Sequence, residues 1–163
     1  MITECKRWLA EILKEAQVER VSLEPEDESK RTAVPFAVLI AGDESLKRAG
    51  SRVAVEDLAD GTRAYRKRLW RRTLPLQLRL THRTEDDADR VLDEVLAQVF
   101  RGLDDAGGNH ITVKAGALAW GEEKSVQAQR CKVVLPLTFE GGVYRDLRVS
   151  LLTDVAPEPE GAE

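Results

Sequence analysis

The sequence predicts an α+β fold, a mostly antiparallel sheet with two α-helices packed on one face. Three observations carry the prediction. Leu74, Leu76, Leu78 and Leu80 alternate with Pro75, Gln77, Arg79 and Thr81, the period of two that gives a strand one apolar and one polar face. From Thr84 the period changes. Ala88, Val91, Leu92, Val95, Leu96, Val99, Phe100 and Leu103 recur at three and four, the apolar stripe of a helix. A second stripe, Trp8, Leu9, Ile12, Leu13 and Ala16, predicts another helix over residues 3–19. Each helix pairs one apolar stripe with one charged face, so each needs a single packing surface.

Composition sets the frame for these elements. A chain of 163 residues fits one domain, with an apolar content of 42% and a charged content of 33% that suit a soluble globular protein. A net charge of −4 argues against a surface that binds nucleic acid all over. No apolar run approaches a membrane span, and residues 1–13 mix charges into their apolar positions, unlike a signal peptide. Cys5 and Cys131 sit among apolar neighbours far apart in sequence and read as buried free thiols in a reducing compartment.

Taken in order, the first helix presents Glu11, Lys14 and Glu15 outward, and a charged loop over residues 24–31 follows. Residues 33–42, an almost continuous apolar run with Pro35 near its start and Gly42 at its end, predict a strand buried on both faces. Residues 42–45 predict a turn, and 51–58 a weaker strand in which Val53 and Val55 alternate. Asp60-Gly61 is a strong hairpin signal, because glycine accepts the positive φ of tight turns. The returning arm, residues 63–72, carries six basic residues among Tyr65, Leu69 and Trp70. Neither parity of that arm is purely apolar: Tyr65 and Leu69 alternate in step with Arg63, Lys67 and Arg71, and Trp70 with Arg66, Arg68 and Arg72. Such a strand suits a projection or a partner better than a core.

The central helix begins with its own signals. Thr84 is placed to cap it, Asp87 stands three residues on as in a capping box, and Glu85, Asp86, Asp87 and Asp89 suit its positive end, with Arg101 near the other. Residues 104–109 predict a turn, 110–115 a short strand with Ile111 and Val113 inward, and 116–124 a loop or irregular edge holding Trp120. Val133, Leu135, Leu137 and Phe139 alternate, Gly141-Gly142 predicts a second hairpin, and Val143, Leu147, Val149 and Leu151 return. The domain is expected over residues 1–155, with 156–163, rich in Pro and Glu, a disordered acidic tail.

Chemistry is expected to be absent: no catalytic residues, no cofactor, no metal. His82 and His110 are the only histidines and lack the Cys, His and carboxylate spacing of a metal site. The acidic run 85–89 reads as a helix N-terminus. No serine sits in a nucleophile elbow, and neither glycine pair has the context of a phosphate loop. The basic arm admits three readings: a protein interface, where Arg, Tyr and Trp concentrate, a solvated face, or a nucleic-acid grip.

The order of these motifs is similar to that of the tail terminator, or tail completion, proteins of long-tailed bacteriophages and prophages. Tyr65 and Trp70-Arg-Arg-Thr-Leu-Pro-Leu lead into the even-spaced strand. The Thr-capped acidic helix, Gly108-Asn109-His-Ile-Thr-Val, Trp120 and Phe139-Glu-Gly-Gly-Val-Tyr follow, so the resemblance spans about residues 60–152. It implies a structural virion protein, assembled in the bacterial cytoplasm, that caps the tail tube as a hexameric ring, ends polymerisation and offers the head connector a docking surface. The implied partners are further copies, the tube protein and the connector, with no membrane and no catalysis. Residues 65–72 and the 140–144 hairpin are the implied contact regions, with Tyr65, Arg66, Arg68, Trp70, Arg71 and Tyr144 as interface candidates. Another small virion component, such as a head–tail connector, or a nucleic-acid-binding module using residues 63–72, is the alternative.

Overall fold

A computed structural model describes residues 1–23, 33–59, 62–125 and 128–150. The chain is α+β, two helices with a mostly antiparallel sheet. The predicted loop at 24–31, the Asp60-Gly61 turn and the acidic tail lie outside the described residues.

Helix α1 (Ile2–Glu15) buries Cys5, Leu9, Ile12 and Leu13. It ends four residues before the predicted boundary at 19. Gln17 takes a left-handed φ of 65°, and the Val18 N–H donates to Leu13 O at 2.8 Å, closing the helix with a reversed turn. Val18 is still buried, which is why the apolar pattern runs past the break.

Strands β1 (Val21–Ser22) and β2 (Phe36–Ala41) pair in parallel. Phe36, Ala37, Val38 and Leu39 are all buried, as the continuous apolar run predicts. Strand β3 (Ser45–Asp57) starts six residues earlier than its alternation suggests. Strand β4 (Thr62–His82) joins the basic arm and the leucine strand, which the sequence separates, into one element. Both β2 and β3 pair antiparallel with β4 along the same edge, β2 beside residues 76–81 and β3 beside residues 63–73.

Helix α2 (Glu85–Val99) starts as predicted, the Asp87 N–H donating to Thr84 Oγ1 at 3.2 Å. Its far end differs. Arg101 lies in the turn beyond the helix, the last helical turn holds no basic residue, and Gly102 takes a φ of +69°. A Cβ there would lie 2.5 Å from Ile111 O, so this glycine is the true stop signal. The predicted stripe also fails at Phe100, which is 90% exposed. Four residues overshoot a helical turn by about 40°. The series Leu92, Leu96, Phe100 therefore precesses from buried through half-buried to exposed.

Strands β5 (Leu103–Asp104) and β6 (His110–Ala115) form a small hairpin, with Ile111 buried and Val113 half-buried. Strand β7 (Ala119–Ser125) pairs regularly with β8 where the sequence predicts a loop or irregular edge. Its backbone ladder to one neighbour suffices, so its residues show no apolar alternation. Strand β8 (Ala128–Ser150) is uninterrupted, and the predicted hairpin at Gly141-Gly142 does not exist. Both glycines stay in the ladder, opposite Arg72 and Arg71. Their missing side chains serve close approach. A Cβ on Gly141 would lie 3.1 Å from Met1 Sδ, and one on Gly142 would lie 2.8 Å from Arg68 Cδ.

The frame of the molecule is the β4–β8 pair, which runs from Thr62 opposite Ser150 to His82 opposite Cys131 with one register shift between Arg68 and Trp70. Leu74, Leu76, Leu78 and Leu80 of β4 face Phe139, Leu137, Leu135 and Val133 of β8. These residues form one buried cluster with Leu9, Leu13, Val91, Leu92 and Val95 of the helices. Trp8 meets Phe139 edge to face, with ring centroids 6.2 Å apart. Burying each large side chain contributes about 1.5–3 kcal/mol before conformational entropy is counted. Cys5 is fully buried, and burial pushes its thiol up to about 11; Cys131 is only half-buried, contrary to the expectation for both.

Candidate interaction arm

On the N-terminal side of Leu74 in β4 the core ends but the strands do not. Residues 45–57 of β3, 62–72 of β4 and 141–150 of β8 continue as a three-stranded antiparallel arm. At the usual strand rise it extends on the order of 35 Å. The arm holds eleven Lys and Arg against three acids, while the whole chain is acidic at −4. Leu46, Val53, Val55, Trp70, Val143 and Val149 are all exposed on it.

Two irregularities decide which side chains share a face. On β4, Arg68 pairs with Tyr144 and Trp70 with Val143, leaving Leu69 as a bulge. On β3, the register shifts between Arg48 and Ser51 and again between Arg52 and Ala54, and Gly50 takes a φ of +99°. The bulge at Leu69 corrects the parity read from sequence. Trp70 shares its face with Lys67 and Tyr65, and not with Arg66 and Arg68. Contacts agree: Arg48, Gly50, Lys67, Leu69 and Trp70 line one depression of about 270 Å³, and the Arg52 guanidinium stacks over the Tyr65 ring at 4.9 Å. This face continues the side of the sheet that carries the core leucines.

The six predicted contact residues are thus divided. Tyr65 and Trp70 lie on the core-side face, while the register puts Arg66, Arg68, Arg71 and Tyr144 on the other. Arg66 is engaged within the chain, donating to Asp146 at 2.7 and 3.0 Å and to Asn109 Oδ1 at 2.9 Å. That bond to Arg66 holds the Asp146 carboxyl below its ordinary value. Asn109 is in turn held by Asp105, which accepts from the Gly107 and Asn109 backbone N–H groups at 2.8 Å. The turn before β6 is thereby tied to the arm. Arg68 folds across Gly142 toward Tyr144, and its Nε is buried with no hydrogen-bond partner among the described residues. Arg71 is exposed.

At the base of the arm Arg72 forms a two-point ion pair with Glu44, at 2.6 and 2.8 Å. Near the tip Arg63 pairs with Asp57, and the Leu58 N–H donates to Thr62 O at 2.8 Å. The pattern missed Leu46, Arg48 and Arg52 as part of this surface. Apolar alternation on β3 is confined to Val53 and Val55, and only the pairing of the whole strand with β4, shifted at two places, reveals them.

Among the described residues no cluster of three or more His, Cys, Asp or Glu, with either histidine or without, is placed to hold a metal. His82 Nδ1 accepts from the Arg83 N–H at 3.0 Å, and burial lowers its pKa below 6.5. His110 is exposed, its Nδ1 2.9 Å from Asp104 Oδ1. No described helix is long and apolar enough to cross a membrane. Compared with known proteins, the chain matches no family model and no curated protein.

Proposed function

We propose that this chain is a structural component of a bacteriophage tail, which caps the tail tube as a hexameric ring, ends its polymerisation and receives the head connector. The resemblance of residues 60–152 to tail terminator proteins motivates the reading. The observation that carries it is the arm, a stretch of sheet extending past its own core with Leu46, Trp70 and Val143 exposed. Arms of this composition are easier to explain against a neighbour than against water. The reading takes both helices to lie on one face of the sheet, since their stripes share one buried cluster with residues of a single strand parity. Neither catalysis nor a cofactor has a part in it.

The test is assembly. The purified chain, alone and mixed with tail tubes of its phage, should form ring-sized particles by light scattering and electron microscopy. A chain that stays monomeric in both settings refutes the reading. The alternative, a nucleic-acid-binding module, is favoured by the eleven cations of the arm. It predicts tight DNA retention whose salt dependence flattens by about one unit of slope for each phosphate-contacting Arg or Lys removed.

A further inference from the structure

The arm leaves open what covers its core-side face. Arm against arm is disfavoured, because the register puts Arg48, Arg52, Arg63, Lys67, Arg72 and Arg145 on this face with Asp57 as its one acid, and two copies would bring like charges together. The occupant should be acidic, and should offer apolar surface to Leu46, Trp70 and Val143, which are 58%, 42% and 39% exposed.

Such a surface exists on the chain itself. The outward face of α2 carries Asp86, Asp89 and Asp93, spaced at three and four, and Phe100 falls seven residues after Asp93, on the same line. Phe100 is the most exposed large apolar residue of the described chain, at 90%. An acidic stripe ending in a bare aromatic is the complement of a basic face studded with bare apolar side chains. The pairing does not form within one copy, since Phe100, Trp70 and Leu46 all remain exposed.

We infer that the core-side face of the arm docks onto the outer face of α2 of a second copy, with Arg48, Arg52 and Lys67 opposite the aspartates and the apolar residues around Phe100. The contact joins two different patches, so it propagates from copy to copy and closes into a ring where the rotation allows. The inference rests on the ring reading above and names the surfaces that would build it.

A charge-swap experiment tests it. Arg48→Glu with Lys67→Glu on the arm should weaken self-association by about tenfold or more, as should Asp89→Lys with Asp93→Lys on α2. Combining all four should restore association to near the parent value. Phe100→Ala should weaken it comparably while leaving the melting temperature unchanged, since that side chain is 90% exposed in the isolated chain. Sedimentation across a concentration and salt series reads each constant, and circular dichroism checks that each variant folds. Rings that survive the α2 changes would overturn this docking and leave the ring reading standing. A parent chain that stays monomeric both alone and with tail tubes would overturn both. Loss of association in the arm variant without rescue, accompanied by loss of binding to a short DNA duplex, would assign the arm to a polyanion and overturn the docking.

Discussion

Single positions in this protein show that the same residue type can serve opposite ends. Gly102 and Gly108 take positive φ, whereas Gly141 and Gly142 lie in extended ladder and are needed for space. A methyl at Gly142 would meet Arg68 Cδ at 2.8 Å, Tyr144 Cζ at 2.9 Å and Trp70 O at 3.0 Å. Gly142→Ala should therefore destabilise by about 1–3 kcal/mol. Gly121→Ala, with nothing within 4 Å, should be near neutral; urea unfolding of the two variants checks the contrast. Charged residues give a second expectation. The Arg72 guanidinium holds the half-buried Glu44 carboxyl below its ordinary 4.5. A lowered folded pKa contributes stability that is present above 4.5 and lost as pH falls through the folded value. Glu44→Gln should thus lower the melting temperature at pH 7 and flatten its decline in acid; an unchanged acid slope would count against the pair. Cys5, neutral at pH 7 and fully buried, should resist a maleimide until the chain unfolds, while half-buried Cys131 reacts first.

At the scale of elements, α2 is the clearest case of a pattern read almost correctly. Its start was legible because a cap is local chemistry, and Thr84 and Asp87 lie within one turn. Its stripe was legible as far as Leu96 and then misleading, because a chain of i+4 steps drifts around the cylinder. A truncation series follows from that drift. Leu92→Ala should cost about 2–5 kcal/mol, Leu96→Ala less, and Phe100→Ala within about 0.5 kcal/mol of zero. Equal losses at Leu92 and Phe100 would contradict the placement. The long strands teach the converse. Residues 62–82 read as two elements because one half has a clean period and the other has none, yet backbone pairing with β8 makes them one. Bulges are invisible to alternation, and the one at Leu69 moved Trp70 away from Arg66 and Arg68.

The whole molecule divides into a packed body and an extended arm made from the same strands. Amide hydrogen exchange should reflect this. The ladder between residues 74–80 and 133–139, under the helices, should exchange only with global opening, and the arm ladder faster by orders of magnitude. If ring formation covers the arm, that difference should shrink on assembly. Uniform protection in the isolated chain would argue against a separately exposed arm.

The packed body is written into local spacings. Both helices, the leucine strand, the doubly buried β2 and the Thr84 cap follow from spacings within a few residues, because burying one face imposes a period on the chain. The concentration of cations and aromatics over residues 63–72 was equally plain, since composition needs no structure. The arm is a product of long-range pairing. Its third strand, its bulges and the straight run through Gly141 and Gly142 depend on backbone pairing between residues as far apart as Thr62 and Ser150. Side chains that face solvent on both sides are under no periodic constraint, so no local pattern records where such strands begin, end or turn.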